Sequence, residues 1–329
     1  MTKIGIPDID PVLEQELLVS MAEVEVLLRG SIEGKYPLVI ETSRHLVDAG
    51  GKRLRPLLTL IASQFGNPKA KGIIEAAVVC ELTHLGTLYH DDVMDEAPLR
   101  RGVESANNRW NNTVAILTGD YLFAKTSQLL ADLGPEAVRL QAFTFERLVI
   151  GQITETQGSS EGKTQLEHYL NVVADKTASL ISASARYGAM ISGADVKIMD
   201  ALTKFGEEIG TVFQLADDII DIASDSKESG KTPGTDLREG VPTLVTLFIL
   251  ESTDPADAEL KKLLSAPIKD EAVIAQTILK LRSHSALTKS RELVAGYGRS
   301  AQKHLEILPE GPAKAALVGL SQAVISRTS

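Results

Sequence analysis

Two sets of aspartates share one spacing: Asp91, Asp92 and Asp95, and then Asp217, Asp218 and Asp221. At i, i+1 and i+4 on a helix, the first and last carboxylates lie one turn apart on a single face. Each set follows an apolar stretch of helical period. Val78, Val79, Leu82, Leu85, Leu88 and Tyr89 lead into the first, and Phe213-Gln214-Leu215-Ala216 opens directly onto the second. Acids gathered at a helix C-terminus repel one another and oppose the macrodipole, costing about 0.3 to 1 kcal/mol each where exposed. A hard cation such as Mg2+ reverses that sign, because it takes carboxylate oxygens and completes its shell with water or phosphate oxygens. A single set in a chain with 44 acidic residues reads as a solvated helix end. The second copy, again placed before a polar loop, turns the reading towards metal binding.

The cations are placed to match. Lys52, Arg53 and Arg55 follow Gly50-Gly51, where backbone amides beside side-chain charge make an anion cradle. Arg100 and Arg101 follow the first acidic set, Lys176 interrupts an apolar face, and Lys231 sits in a Gly-rich loop. A P-loop is excluded: GSSEGKT at 158–164 is one residue too short and follows a helical pattern, and Lys231 lacks the upstream glycine. Acids holding Mg2+ and basic groups around them describe a polyanion site, most simply for a diphosphate. The apolar helices between the sets call for hydrocarbon in the other half of the substrate. A metal-bound diphosphate is a good leaving group, since the cation stabilises charge developing on departure.

The elements that position these residues read as helices throughout. The chain has 329 residues, 43% hydrophobic with only 4% aromatic, and no long Pro/Gly/Ser linker, so it reads as one domain over 1–329. Helices are expected at 12–29, 36–48, 56–65 (with Pro56 at the first position), 72–95, 113–133, 136–157, 165–192 and 195–222. Four or five more follow between 242 and 328, with weak strand ambiguity at 241–250. Residues 96–112 read as a polar connection, and 223–240 as a mobile loop able to close over a ligand. The net charge of −10 argues against a general nucleic-acid binder. A lone cysteine, Cys80, excludes a disulfide framework and a cysteine-rich zinc site. Without an apolar leader or an uninterrupted span, the expected setting is the cytoplasm, with at most a transient membrane-surface contact.

At these residues the chain resembles the all-trans polyprenyl diphosphate synthase family. The resemblance is carried by GGKRLRP at Gly50–Pro56, ELTH at Glu81–His84, HDDVMD with RRG at 90–102, GDYLF at 119–123, DKTASL at 175–180, FQLADDIID at 213–221 and GKTPGTDLREG at 230–240. It covers about residues 40–250. It implies an antiparallel helical bundle around a central cavity, usually a homodimer, that joins isopentenyl diphosphate to an allylic diphosphate. It also implies about three Mg2+ ions, the first bound with the allylic diphosphate. By the same resemblance Asp91, Asp92, Asp95, Asp217 and Asp218 are metal ligands, with Asp221 acting directly or through water. Lys52, Arg55, His84 and Arg101 match the isopentenyl diphosphate site. Arg100, Lys176 and Lys231 match groups on the allylic diphosphate, and Thr177 and Gln214 flank the developing cation. The implied reaction is ionisation, attack by the isopentenyl double bond and loss of a proton to the departing diphosphate. Two positions depart from the pattern: Val241 stands where many members have Lys, and Val245 where many have Pro. Other readings are a class I terpene cyclase, which would need only the first set, and a di-iron bundle, for which only Glu81 and His84 have the required spacing.

Product length turns on the residues before Asp91. Short-chain members of the family commonly carry an aromatic floor four or five residues upstream, whereas this chain has Thr87 and Gly86, with Thr83 one turn further. A helix over 72–95 is roughly 36 Å long, room for on the order of seven to nine isoprene units. The expected product is therefore long, near C35 to C45, suited to a quinone side chain. The alternative is a C20 geranylgeranyl product, and Phe143 or Phe145 could supply a floor.

Overall fold

The computed structural model describes residues 3–159, 162, 164–223 and 233–327. The all-α expectation holds. Among the described residues the extended backbone that pairs is one short antiparallel hairpin, β1 (Leu99–Arg100) with β2 (Val103–Glu104), Leu99 facing Glu104. Its two-residue turn is Arg101-Gly102, both at positive φ (54° and 76°), the combination that suits the twist of a hairpin. The stretch 96–112 is thus more ordered than a polar connection, since it also holds α5 (Ala106–Arg109).

Through-space contacts gather the chain into two compact units, the first Met1–Phe145, Leu180–Thr203 and Ile307–Leu317, the second Glu146–Ser179, Lys204–Glu306 and Val318–Ser329. The first unit is built on α4 (Ile73–Met94), which packs against α1 (Pro11–Ser31), α3 (Leu54–Ser63) and α6 (Asn112–Leu133). The apolar period that predicts one buried face underestimates α4. Ala76 to Thr83 are all buried, and so are Leu85, Gly86, Tyr89 and Asp92. Tyr89 is fully buried and donates from Oη to the carbonyl of Thr42 on α2 (Pro37–Asp48), tying the acidic end of α4 to that helix. Further up, Cys80 packs in a cluster with Val79, Leu130, Ala183 and Tyr187. Helix α3 starts at Leu54, so Pro56 is its third residue rather than its first; the first-turn N–H groups have no intrahelical partner, so proline is tolerated there too.

The helix expected over 165–192 is interrupted. Helix α8 (Gln165–Val172) passes into a π-helical turn at Val173–Ala178 before α9 (Ser179–Ser192) resumes. Helix α10 (Val196–Ala223) carries the second acidic set. The loop expected at 223–240 contains a helix, Thr235–Glu239, while 224–232 lie outside the described residues. The ambiguity at 241–250 resolves to a helix, Leu244–Leu250. Its start does not need the proline that Val245 replaces, because Thr246 Oγ1 accepts from the N–H of Thr243 at 2.9 Å. Helices Ala258–Leu264, Glu271–Ser283, Ser285–His304 and Pro312–Ser326 complete the chain.

Candidate active site

The first acidic turn divides its carboxylates. Asp92 is fully buried and accepts from Arg100 Nε at 2.5 Å, while its Oδ2 is buried without a hydrogen bond. Burial pushes this carboxyl up, and Arg100 pulls against that. Asp91 is half-buried and Asp95 exposed, one turn apart at the end of α4. Arg100, expected on the allylic diphosphate, is therefore also the counterion of a buried acid.

Beside this turn the sequence-marked cations converge on α4. Glu81, 2% exposed, receives Arg53 at 2.9 Å and lies 3.6 Å from Arg101. Arg53 is itself buried, held at positive φ (49°), and also bonds Glu25 at 2.6 Å and the carbonyls of Val47 and Gly50. Arg101 donates to the carbonyl of Leu46 at 2.8 Å and to that of Gly50. Its guanidinium lies against Gly51, where a Cβ would come within 2.9 Å of Cζ, and the φ of 145° there is the physical reason for glycine. Arg55 has a buried Nε with no hydrogen bond, and burial lowers its pKa from the ordinary value. Lys52 is exposed at the same corner. His84 is half-buried, and burial together with Arg55, Arg101, Arg100 and Arg53 holds its pKa well below the ordinary value, so the imidazole is neutral. Two guanidiniums on Glu81 leave it poorly suited to the di-iron reading.

The second turn repeats the division. Asp218, 6% exposed, accepts from Tyr169 Oη on α8 and from Gln214 Nε2 at 2.9 Å; burial pushes its carboxyl up to about 6. Asp217 and Asp221 are half-buried. Arg327 reaches Asp217 at 2.6 Å. Asp221 accepts from the backbone N–H groups of Thr235 and Asp236, both at 3.3 Å, and so anchors the start of the helix Thr235–Glu239.

Lys176 and Thr177 both sit in the π-helical turn. Lys176, which interrupts an apolar face in the sequence, is 25% exposed at its side chain, and its ammonium lies 2.5 Å from Glu155. Thr177 Oγ1 donates to Gln214 Oε1 at 3.2 Å, so the two residues expected to flank the cation do meet. Lys231 lies outside the described residues.

The chain-length positions do not open onto empty space. A Cβ on Gly86 would approach the Phe123 ring at 3.0 Å and the carbonyl of Gly119 at 3.3 Å, so Gly86 is where α4 and α6 come close. Phe123 packs on Phe145 with centroids 4.7 Å apart, whereas Phe143 is exposed. Thr83 is fully buried and accepts from Gln141 Nε2 at 2.9 Å. Thr87 is half-buried and caps the carbonyl of His84 at 2.8 Å.

The donor chemistry suits Mg2+. Among the described residues no three acidic, His or Cys side chains close on one point, so no all-protein cage is formed. Each turn instead offers two more accessible carboxylates, Asp91 with Asp95 and Asp217 with Asp221. Mg2+ is commonly held in that way, by one or two carboxylates with the remaining positions left to water and phosphate oxygens. Arg53, read from sequence as part of the anion cradle, pairs with Glu81 and Glu25 instead. Tyr169, Arg327 and Phe123 were not singled out as site residues from sequence. Their neighbours are far apart in the chain, and no local pattern marks them.

A helical fold with two such acidic turns and a cluster of arginines defines the class of prenyl-transferring enzymes. The family model for polyprenyl synthetase matches residues 36–281, and the chain belongs to that family. It is similar to the nonaprenyl diphosphate synthase of Mycobacterium tuberculosis, 46% identical over 319 residues, covering 97% of this chain and 95% of that protein. Among solved structures it is similar to geranylgeranyl pyrophosphate synthase from Corynebacterium glutamicum complexed with calcium and isoprenyl diphosphate, with 42% identity, TM-score 0.87 and coverage of 97% and 98%. It is likewise similar to a decaprenyl diphosphate synthase from Rhodobacter capsulatus, with 32% identity, TM-score 0.87 and coverage of 96% and 98%. No helix among the described residues is long and apolar enough to cross a membrane.

Proposed function

We propose that this chain condenses isopentenyl diphosphate with an allylic diphosphate to give a long-chain all-trans polyprenyl diphosphate, near C35 to C45, the whole of 1–329 acting as one polyprenyl synthase domain. The observation that carries the reading is the division of labour within both acidic turns. One carboxylate, Asp92 or Asp218, is buried and bonded to protein, while its neighbours stay more accessible. About three Mg2+ ions, when bound, would neutralise the diphosphate and make it a better leaving group. Asp91, Asp95, Asp217 and Asp221 would hold them, with Asp92 and Asp218 orienting each turn. Lys52, Arg55, Arg101 and neutral His84 grip the isopentenyl diphosphate, and Lys176, with Arg100 and Lys231, the allylic one. Thr177 and Gln214 present oxygen dipoles to the allylic carbon as its C–O bond breaks and the electron pair leaves with diphosphate. The isopentenyl double bond then attacks that carbon, and the departing diphosphate takes the proton that is lost.

The relatives named nonaprenyl and decaprenyl diphosphate synthase support a long product. A C20 product is the second reading, favoured by the relative named geranylgeranyl pyrophosphate synthase and by Phe123 against Gly86. Homodimer formation is supported by apolar side chains exposed on α6 (Ile116, Leu117) and on α7 (Pro135–Gln157), namely Phe143, Ile150 and Ile153. A cytoplasmic setting with transient membrane contact for product release accords with the single thiol and the apolar product. The test is consumption of isopentenyl diphosphate with a labelled allylic primer. Mg2+ should be required, and Asp91→Asn or Asp217→Asn should each lower turnover at least about 100-fold with helicity intact, since amides are poor ligands for a hard cation. Full activity in EDTA would overturn the reading.

A further inference from the structure

Helix α7 presents Arg147, Gly151 and Glu155 at i, i+4 and i+8, one stripe along its length. All three meet the π-helical turn Val173–Ala178. Arg147 Nε donates to Asp175 Oδ1 at 2.8 Å, and its Nη2 to the carbonyl of Ala174 at 3.2 Å. The other edge of the same guanidinium makes a two-pronged contact with Glu207 on α10, at 3.1 and 2.5 Å. One turn on, a Cβ at Gly151 would lie 2.7 Å from the backbone nitrogen of Lys176 and 3.1 Å from the carbonyl carbon of Asp175. One turn further, Glu155 takes the Lys176 ammonium at 2.5 Å.

A π-turn is wider than an α-turn and rare, and it persists where surrounding contacts hold it. Here those contacts can be named. Ser179 N–H closes a bond to Ala174 O, Ser179 Oγ donates to Asp175 O at 2.5 Å, and Arg147 covers both the Ala174 carbonyl and the Asp175 carboxylate. The same arginine references the turn to α10. Glu207 and Gln214 are seven residues apart on that helix, hence on one face, and Gln214 is the residue that Thr177 bonds.

We propose that Arg147 is a positioning residue for the condensation, clamping the π-turn between α7 and α10 so that Lys176 and Thr177 are held in fixed register with Gln214 and Asp217, with Gly151 as the gap that lets the turn approach. Arg147 touches none of the groups assigned to substrate; it acts through Asp175, Ala174 and Glu207. The catalytic half of this proposal rests on the assignment of Lys176 to the allylic diphosphate, and the structural half does not.

The experiment compares Arg147→Gln, Arg147→Lys, Gly151→Ala and Lys176→Ala with the wild-type chain. Backbone hydrogen exchange on protein free of metal and substrate should accelerate at 173–179 in Arg147→Gln, less in Arg147→Lys, with the rest of the chain unchanged. In steady state, Arg147→Gln and Gly151→Ala should raise KM for the allylic diphosphate and lower kcat, each on the order of tenfold, because a misplacement of about 1 Å is enough for such losses. KM for isopentenyl diphosphate should stay within about twofold, and Arg147→Lys should recover part of the loss. Gly151→Ala removes no polar group, so a matching effect from it supports the clamp even if Arg147→Gln folds poorly. Wild-type exchange at 173–179 in both Arg147→Gln and Gly151→Ala overturns the clamp. Equal losses for the two substrates overturn its selectivity. If Lys176→Ala leaves the allylic KM unchanged, the assignment of Lys176 fails and the catalytic half falls with it, while the exchange data still decide the structural half.

Discussion

Arg327 donates from Nη2 to Asp217 Oδ1 at 2.6 Å, and its guanidinium carbon lies 5.3 Å from the centre of the Phe213 ring. An accessible carboxylate of the second acidic turn is therefore paired with a cation of the chain itself. A metal that Asp217 binds meets the charge of that arginine, whether it takes Oδ1 in its place or binds Oδ2 beside it. Partly exposed ion pairs are worth about 0.2 to 1 kcal/mol, a factor of up to roughly five. Arg327→Ala should thus lower the Mg2+ concentration for half-maximal turnover about two- to fivefold. A Mg2+ titration of initial rates checks it, and an unchanged or raised requirement would count against competition at Asp217.

Two neighbouring arginines should behave in opposite ways. Arg53 neutralises Glu81 and Glu25, so Arg53→Ala removes the shorter ion pair of a carboxylate that is 2% exposed and leaves it only Arg101 at 3.6 Å. Breaking a buried pair from one side costs about 3 to 5 kcal/mol. Arg55 has a buried Nε without a hydrogen bond, and its burial is only partly offset by Glu81, so Arg55→Ala should cost much less stability than Arg53→Ala. Its effect should fall on binding instead, with KM for isopentenyl diphosphate rising about tenfold or more, as expected for loss of a charged contact. Urea melts paired with steady-state kinetics separate the two; an Arg55→Ala destabilised as much as Arg53→Ala, or a stable Arg53→Ala, would contradict these roles.

Sequence made most of the helices and both acidic turns legible, because apolar period and the i, i+4 spacing are local properties. What it could not resolve was which aspartate faces where. Asp92 and Asp218 look the same as their neighbours in the sequence, yet they are the buried ones, because Arg100 and Tyr169 reach them across eight and 49 residues. The π-turn was hidden for the same reason. Its residues follow helical periodicity, and the contacts that widen it come from α7, 28 residues away at Arg147 and Asp175. Gly86 was legible as small, but its neighbour Phe123 was not. The helix Thr235–Glu239 went unread because Gly, Ser and charge dominate the stretch around it.

His84 contributes to the pH dependence of stability with a definite sign. Its folded pKa lies well below the 6.5 of an ordinary histidine, so below pH 6.5 the unfolded chain binds a proton that the folded one does not. This group therefore removes stability as pH falls through 6.5, at most about 1.4 kcal/mol per pH unit. Asp218 acts in the opposite direction. Its folded pKa of about 6 exceeds the ordinary 3.8, so the stability it contributes is full below 3.8 and is lost as pH rises through about 6. The difference between wild type and His84→Gln isolates the histidine. Urea midpoints measured at pH 5.5 and 7.5 should fall less on acidification in the variant than in the wild type. An equal fall in both would mean that His84 takes up a proton in the folded chain.

Product length gives a test at the aromatic pair beside Gly86. Phe123 sits where a Gly86 Cβ would reach 3.0 Å from its ring, and Phe145 backs it at 4.7 Å. A bulky residue at 86 would collide with Phe123 and with the α6 backbone at Gly119, so Gly86→Phe confounds product length with helix packing. Phe123→Ala avoids that difficulty by removing the ring, leaving α4 untouched. If the hydrocarbon chain grows past Gly86, the ring limits it, and Phe123→Ala should shift the product distribution upwards by one or more five-carbon units at excess isopentenyl diphosphate. Phe143→Ala serves as the control, because that side chain is 61% exposed and should leave the distribution as it is. Chromatography of dephosphorylated products resolves the outcome. An unchanged distribution in Phe123→Ala would mean that the growing chain does not reach this pair, and a wild-type product of C15 or C20 would overturn the long-chain assignment while leaving the condensation chemistry intact.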